Sequence, residues 1–307
     1  MAEDNLQESQ VPVKVESELA YANLKESNKF VRLLKAYPLV FVGGIMVLAL
    51  VIVAVFAGQL APFNPDTQFP NGLALTGAPL PPGHVFRMGT DDLGRDVMSR
   101  VIWGSQVSLE VGLMASLISL FIGTPLGIIS GYFGKFVDTV IMRITDIFLA
   151  FPFILFVVAL VAVLKPSVSN VFIAIGVLGW PLTARIVRGQ VLAVKEFEYV
   201  QAAKALGSNN FRILFRIILP NIMAPVIILT TLNIGNNMLL ESTLSFLGIG
   251  VQPPTPSWGS MLAEGQSVFQ YAPWLLYYPG FALLLAVLGF NLLGDGLREL
   301  FNPRRVR

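Results

Sequence analysis

Uncharged stretches long enough to cross a bilayer recur along the chain, divided by shorter polar segments. A hydrocarbon core of about 30 Å calls for roughly 20 residues of α-helix at about 1.5 Å per residue. Six stretches meet or approach that length: 36–65, 111–134, 147–164, 166–184, 217–240 and 265–294. The pattern predicts an all-α integral membrane protein with six transmembrane helices. A seventh uncharged stretch, 242–263, carries Pro253, Pro254 and Pro256. Proline removes helix hydrogen bonds where lipid cannot replace them, so this stretch reads as a loop. The first span is preceded by a charged tail and is longer than the apolar core of a cleavable leader, so it reads as a retained anchor.

Composition supports the membrane reading: 54% of residues are hydrophobic and 13% charged, against about 25% charged in soluble domains. Lysine and arginine then set the orientation, because they are retained in cytoplasmic loops. With the N-terminus inside, 17 of the 21 basic residues fall on the cytoplasmic side and only Arg87, Arg95, Arg100 and Lys165 on the other. Both termini are therefore expected in the cytoplasm. The organisation that follows is a cytoplasmic tail (1–35, expected to be partly disordered), a first transmembrane helix (36–60) and an external loop (61–103). A transmembrane core (104–297) holds an internal polar segment (185–220), and a cytoplasmic tail (298–307) closes the chain. A net charge of +2 makes no case for nucleic acid. The chain has no cysteine, which removes thiol chemistry, and one histidine, His84, which reads as a solvated loop side chain.

The internal segment describes a helix, a turn and a second helix. Residues 199–206 are good helix formers, Gly207 can take the left-handed conformation that ends a helix, and Ser208 or Asn209 can cap the next. Arg212 and Arg216 then lie four apart among Phe211, Ile213, Leu214, Phe215 and Ile217, and Pro220 is expected to separate this helix from the fifth span. Two small residues, Ala202 and Ala203, permit close approach by a partner; an ordinary membrane-surface hairpin is the alternative. The spacing of Ala202, Ala203, Gly207, Ile217, Leu219 and Pro220 resembles the EAA loop of ABC-importer permeases. That resemblance implies a short coupling helix, Leu206 included, which inserts into a cleft of an ATPase subunit. Gln201 stands where the family usually has glutamate, which removes a charge and keeps size and hydrogen-bonding capacity.

Outside the membrane, Gly89-Thr90-Asp91-Asp92-Leu93-Gly94-Arg95-Asp96 is similar to a signature of the C-type subunits of oligopeptide, dipeptide and nickel permeases. Taken alone, Asp91, Asp92 and Asp96 could suggest a cation site, since hard cations favour several oxygen ligands. Arg95 and Arg100 are near enough to neutralise them, which favours a packed, hydrogen-bonded loop leading into the second span. Segments at 131–143, 244–250, 256–259 and 290–298 match the same subfamily in order, so the resemblance runs from about Pro38 to Pro303. It implies one anchor helix ahead of a five-helix permease core in a prokaryotic inner membrane.

Polar groups within spans are costly and point to function. Asn233, Asn236 and Asn237 share a face of the fifth span, pointing to a bundle or a translocation path. Glu241, Glu110 and Asp146 are expected at span ends, within reach of water, with Glu241 also a candidate for the path. No Gly-x-x-x-x-Gly-Lys-Ser/Thr phosphate loop occurs, so the chain is not expected to hydrolyse ATP or to bind a cofactor or metal. The resemblance implies a homologous permease partner, cytoplasmic ATPase subunits that use ATP and Mg²⁺, and an external binding protein that delivers di- or oligopeptides. The same machinery importing nickel or another small solute is the alternative. An ion-coupled transporter would want inverted repeats and a midplane relay, and an intramembrane enzyme a nucleophile with its base; neither is evident.

Overall fold

The computed structural model describes residues 37–301. The expected tail at 1–35 lies outside them, as does 302–307 of the C-terminal tail. Among the described residues every regular element is helical, and the only β pairing is in isolated bridges such as Gln68–Arg95 and Thr90–Asp96 within the long loop ahead of α3. The helices are α1 (Pro38–Val55), α2 (Ala57–Leu60), α3 (Val97–Phe133), α4 (Lys135–Ala150), α5 (Phe153–Leu164), α6 (Val168–Val194), α7 (Glu198–Ala205), α8 (Asn210–Ile213), α9 (Leu219–Phe246), α10 (Trp258–Gln266) and α11 (Trp274–Leu300). Five rods are long and apolar enough to span: α1, α3, α6, α8–α9 taken together and α11. The α4–α5 pair, bent by 86°, makes a sixth if it is counted as one crossing.

Several expected boundaries move, each for a local reason. The third span, expected as one stretch over 147–164, is broken at Phe151–Pro152. A residue before proline is driven out of the helical region, and Phe151 is extended at φ −85° and ψ 140°. Helix α3 begins at Val97, well before the expected 111, because Asp96 caps it by accepting from the Ser99 N–H at 2.8 Å. Its first turns carry Ser99, Arg100, Ser105 and Ser108, all buried against protein rather than lipid. Pro220 does not separate α8 from α9. A π turn over Leu214–Ile218 loosens the ladder just ahead of it, so the missing N–H falls where the regular bonding is already out of register. The last span begins at Trp274 rather than 265, since Gly265 belongs to α10. The 242–263 stretch divides into the end of α9, a proline turn and the start of α10.

Glycine sets the closest helix contacts. A Cβ at Gly123 would lie 2.7 Å from the Trp180 carbonyl oxygen, and one at Gly127 2.5 Å from that of Ala184, so α3 and α6 touch backbone to backbone along a Gly-x-x-x-Gly stripe. The anchor α1 meets α11 the same way: a Cβ at Gly43 would lie 2.3 Å from the Leu293 nitrogen. Near the end of α6, Val187, Val191 and Val194 join Val200, Ile213 and Ile218 in one apolar cluster. That cluster positions the internal hairpin.

Candidate functional site

Helix α7 stands off the bundle. Among its eight residues only Val200 is buried, seated in the cluster with Ile213 and Ile218. Ala202 and Lys204 are exposed, Ala203 is half-buried, and Leu206 at the tip is 87% exposed. The turn has the chemistry expected of it: Gly207 adopts φ +76°, Ser208 N–H donates to the Ala203 carbonyl at 3.1 Å, and Asn209 caps α8 by accepting from Phe211 N–H at 3.2 Å. A Cβ at Gly207 would meet nothing within 4 Å, so the demand for glycine is conformational and not steric. Gln201 donates through Nε2 to the Lys195 carbonyl at 2.8 Å, tying α7 to the end of α6. Behind the hairpin a cleft of about 340 Å³ is lined by Tyr132, Lys195, Val200, Gln201, Lys204 and Asn210. The eight residues singled out in this loop therefore divide. Gln201, Ala202, Ala203, Leu206 and Gly207 form the projecting arm and its tip, Ile217 and Leu219 pack against the cluster beneath, and Pro220 opens α9.

The external motif is closed and densely bonded. Gly89 and Gly94 take φ +79° and +74°. Thr90 is fully buried; its hydroxyl donates to the Gly72 carbonyl at 2.6 Å and accepts from Leu80 N–H at 2.7 Å. Asp91 accepts from the Arg95 Nε–H at 2.6 Å. Arg95 and Arg100 both donate to Glu264 on α10, at 3.0 and 2.9 Å. The carboxylate oxygens of Asp91, Asp92 and Glu264 can come within 4.8 Å of one another. Two guanidinium groups already occupy that space, so the donor set is an ion-pair network rather than a cage for a cation. Burial pushes the Glu264 carboxyl above its ordinary value, and Arg100 and Arg95 pull it part of the way back. Glu264 was missed in the sequence, although a signal exists: it is the lone acidic residue between Glu241 and Asp295.

The intramembrane groups fare differently. Asn237 donates to the Ser116 hydroxyl at 2.9 Å, joining α9 to α3, while Asn236 is exposed and Asn233 half-buried. Glu110 is exposed, and Asp146 pairs with Arg185, both about half exposed. Glu241, expected at a span end within reach of water, is instead fully buried, because α9 continues to Phe246 and the following turn folds back over it. A second ion pair missed in the sequence joins α4 to α6: Arg188 donates to Asp138 through two nitrogens at 2.5 and 2.6 Å.

Comparison with known proteins settles the family. Residues 123–307 match the binding-protein-dependent transport system inner membrane component family, and residues 28–82 match the N-terminal transmembrane domain of oligopeptide transport permease C. The chain belongs to this permease family. The permease is 43% identical over 276 residues to the dipeptide transport system permease protein DppC of Alkalihalophilus pseudofirmus, covering 88% of each chain. It is 39% identical to the glutathione transport system permease protein GsiD of Pectobacterium atrosepticum, covering 85% of each. A solved inward-facing structure of the MetNI methionine ABC transporter superposes with a TM-score of 0.56 at 17% identity, covering 67% of the permease and 98% of that chain, and shows the fold alone. The permease is thus a multi-pass inner-membrane subunit of an ABC importer.

Proposed function

We propose that this permease carries di- or oligopeptides handed over by an external binding protein, with the work supplied by cytoplasmic ATPase subunits that bind ATP and Mg²⁺. The observation that supports it most is the projecting α7 arm. It is held by one buried valine and one amide hydrogen bond, its small and apolar tip residues face outward, and it leads through Gly207 into a helix that spans the membrane. Such an arm can be displaced by a partner without unpacking the bundle, and Gln201, Ala202, Ala203, Leu206 and Gly207 would meet the ATPase cleft. A homologous permease partner would complete the path, with Asn233 and Asn236 of α9 as the polar groups available to line it. The excess of basic residues at the α7 end, 17 against 4, supports cytoplasmic termini. The names of the relatives favour small peptides over nickel.

The test is reconstitution of the co-purified complex in liposomes with the binding protein inside or outside. Uptake of labelled dipeptide that requires ATP on the α7 side and binding protein on the other supports the reading. ATP-dependent uptake of nickel and not of peptide would replace the substrate. Hydrolysis by the permease free of other subunits would overturn the division of labour.

A further inference from the structure

The importer reading leaves one fully buried acid without a role. Glu241 sits at the end of α9 opposite the coupling arm, 22 residues beyond Leu219, or about 33 Å along a helix that rises about 1.5 Å per residue. That distance is roughly the bilayer core, so one rod has the displaceable arm at one face of the membrane and Glu241 near the other.

The carboxylate receives two hydrogen-bond relays. Val251 N–H donates to Ser245 Oγ at 2.9 Å, and Ser245 Oγ donates to Glu241 Oε1 at 2.7 Å. Trp258 N–H donates to Ser108 Oγ at 3.4 Å, and Ser108 Oγ donates to Glu241 Oε2 at 3.3 Å. Val251 and Trp258 bracket the proline turn that joins α9 to α10, so a single acid receives from both ends of that turn. The backbone confirms how closely the turn is laid down: a Cβ at Gly250 would lie 2.1 Å from Ser245 Oγ, and one at Gly259 2.4 Å from the Ser242 Cα. Ser108 belongs to α3, so the same carboxylate also fastens α9 to α3. Beyond the turn, α10 presents Glu264 to Arg95 and Arg100. A buried carboxyl group costs too much to keep unless its partners satisfy it; here the partners are the Ser108, Ser242 and Ser245 hydroxyl groups, and the first and last of these each pass on a backbone N–H.

We propose that Glu241 is a positioning residue for transport: the outer fastening through which displacement of α9, driven from the α7 arm, moves the 251–258 turn and α10. This rests on the importer reading for its consequence and on geometry alone for the fastening itself. The chain contains no cysteine, so Val251→Cys, a buried position whose backbone N–H is retained, reports directly on whether the turn is seated. In the assembled transporter, Glu241→Leu should raise the rate at which an external impermeant maleimide labels Val251→Cys by about tenfold or more, since the acceptor at the end of both relays is lost. Peptide taken up per ATP hydrolysed should fall several-fold. That ratio does not move when there is merely less protein. Glu241→Gln, which keeps one acceptor, should fall between. If Glu241→Leu fails to assemble, Ser245→Ala removes the shorter relay without adding bulk and should still speed labelling about threefold. Labelling at the wild-type rate in whichever variant assembles overturns the fastening. Faster labelling with an unchanged uptake-to-hydrolysis ratio overturns its part in transport. Labelling needs neither ATP nor cargo, so it reads the fastening even if the importer reading fails.

Discussion

The two faces of the permease spend their polar residues in opposite ways. Around the long loop ahead of α3, Arg95, Arg100, Asp91 and Thr90 are each at most 3% exposed, and the charges are matched against one another and against Glu264 on a distant helix. At the α7 face the projecting helix buries one residue in eight and leaves its polar groups to solvent. A region whose charges are desolvated and ion-paired with one another has few alternative arrangements, and displacement leaves a buried charge unpaired. A region attached through one valine and one amide can move at little cost. The contrast places rigidity where the long loop, α3 and α10 meet, and compliance where α7 projects, the face proposed to receive the ATPase.

The sharpest way to break this comparison is to remove a charge from the rigid face. Arg100→Met roughly keeps volume but leaves Asp91 and Glu264 short of a cation in a buried site. Removing one member of a buried ion network costs about 3–5 kcal/mol. The variant should accumulate poorly and lose much of its thermal midpoint in detergent. Arg185→Met, whose pair with Asp146 is about half exposed on both sides, should cost under about 1 kcal/mol after screening. Equal losses from the two would erase the distinction between buried and exposed pairs on which the contrast rests.

At the compliant face the largest expected effect is on coupling rather than on stability. Gly207→Val places a β-branched residue at φ +76° with no steric obstacle around it. The conformational cost of about 1–2 kcal/mol falls on the turn alone and re-aims α7. Membrane insertion and protease protection should persist, since the spans are untouched, while hydrolysis stimulated by loaded binding protein drops. Normal stimulation and uptake in this variant would remove the turn from the coupling path and leave a surface hairpin in its place.

How much of this was legible in the sequence follows the range of the interactions. The α7–Gly207–α8 turn depends on residues within ten positions of one another, and glycine, the cap at Asn209 and the alanines announce it. The external fold was half legible: Asp91, Arg95 and Asp96 are neighbours in the chain, but Glu264 lies 164 residues from Arg100 and no periodicity links them. The start of α3 was hidden because its serines and Arg100 look unfit for lipid; they face protein, which hydropathy does not distinguish. Pro152 and Pro220 show the same limit from the other side. One breaks its helix and the other does not, and the π turn that makes the difference carries no compositional mark. Glu241 was read as near water because span ends were counted from charge, whereas its environment is made by a turn that returns from beyond the helix.

The smallest expected effect belongs to Gln201, which stands in the loop motif where glutamate is usual. Gln201 holds α7 to α6 by donating to the Lys195 carbonyl at 2.8 Å, and a glutamate in its place has no hydrogen to donate. Gln201→Glu would set a carboxylate against that carbonyl oxygen and turn the side chain away, toward Lys204 one turn along the same helix. One exposed hydrogen bond between neutral groups is lost, worth about 0.5–1.5 kcal/mol, and a surface ion pair of similar or smaller value is gained. The thermal midpoint should therefore be nearly unchanged and stimulated hydrolysis should stay within about twofold of the parent. Such a result would place the grip of the arm chiefly in Val200. A loss of coupling as deep as that of Gly207→Val would instead show that the amide, and not the buried valine, sets where α7 points, and the coupling face would then be less compliant than its exposure implies.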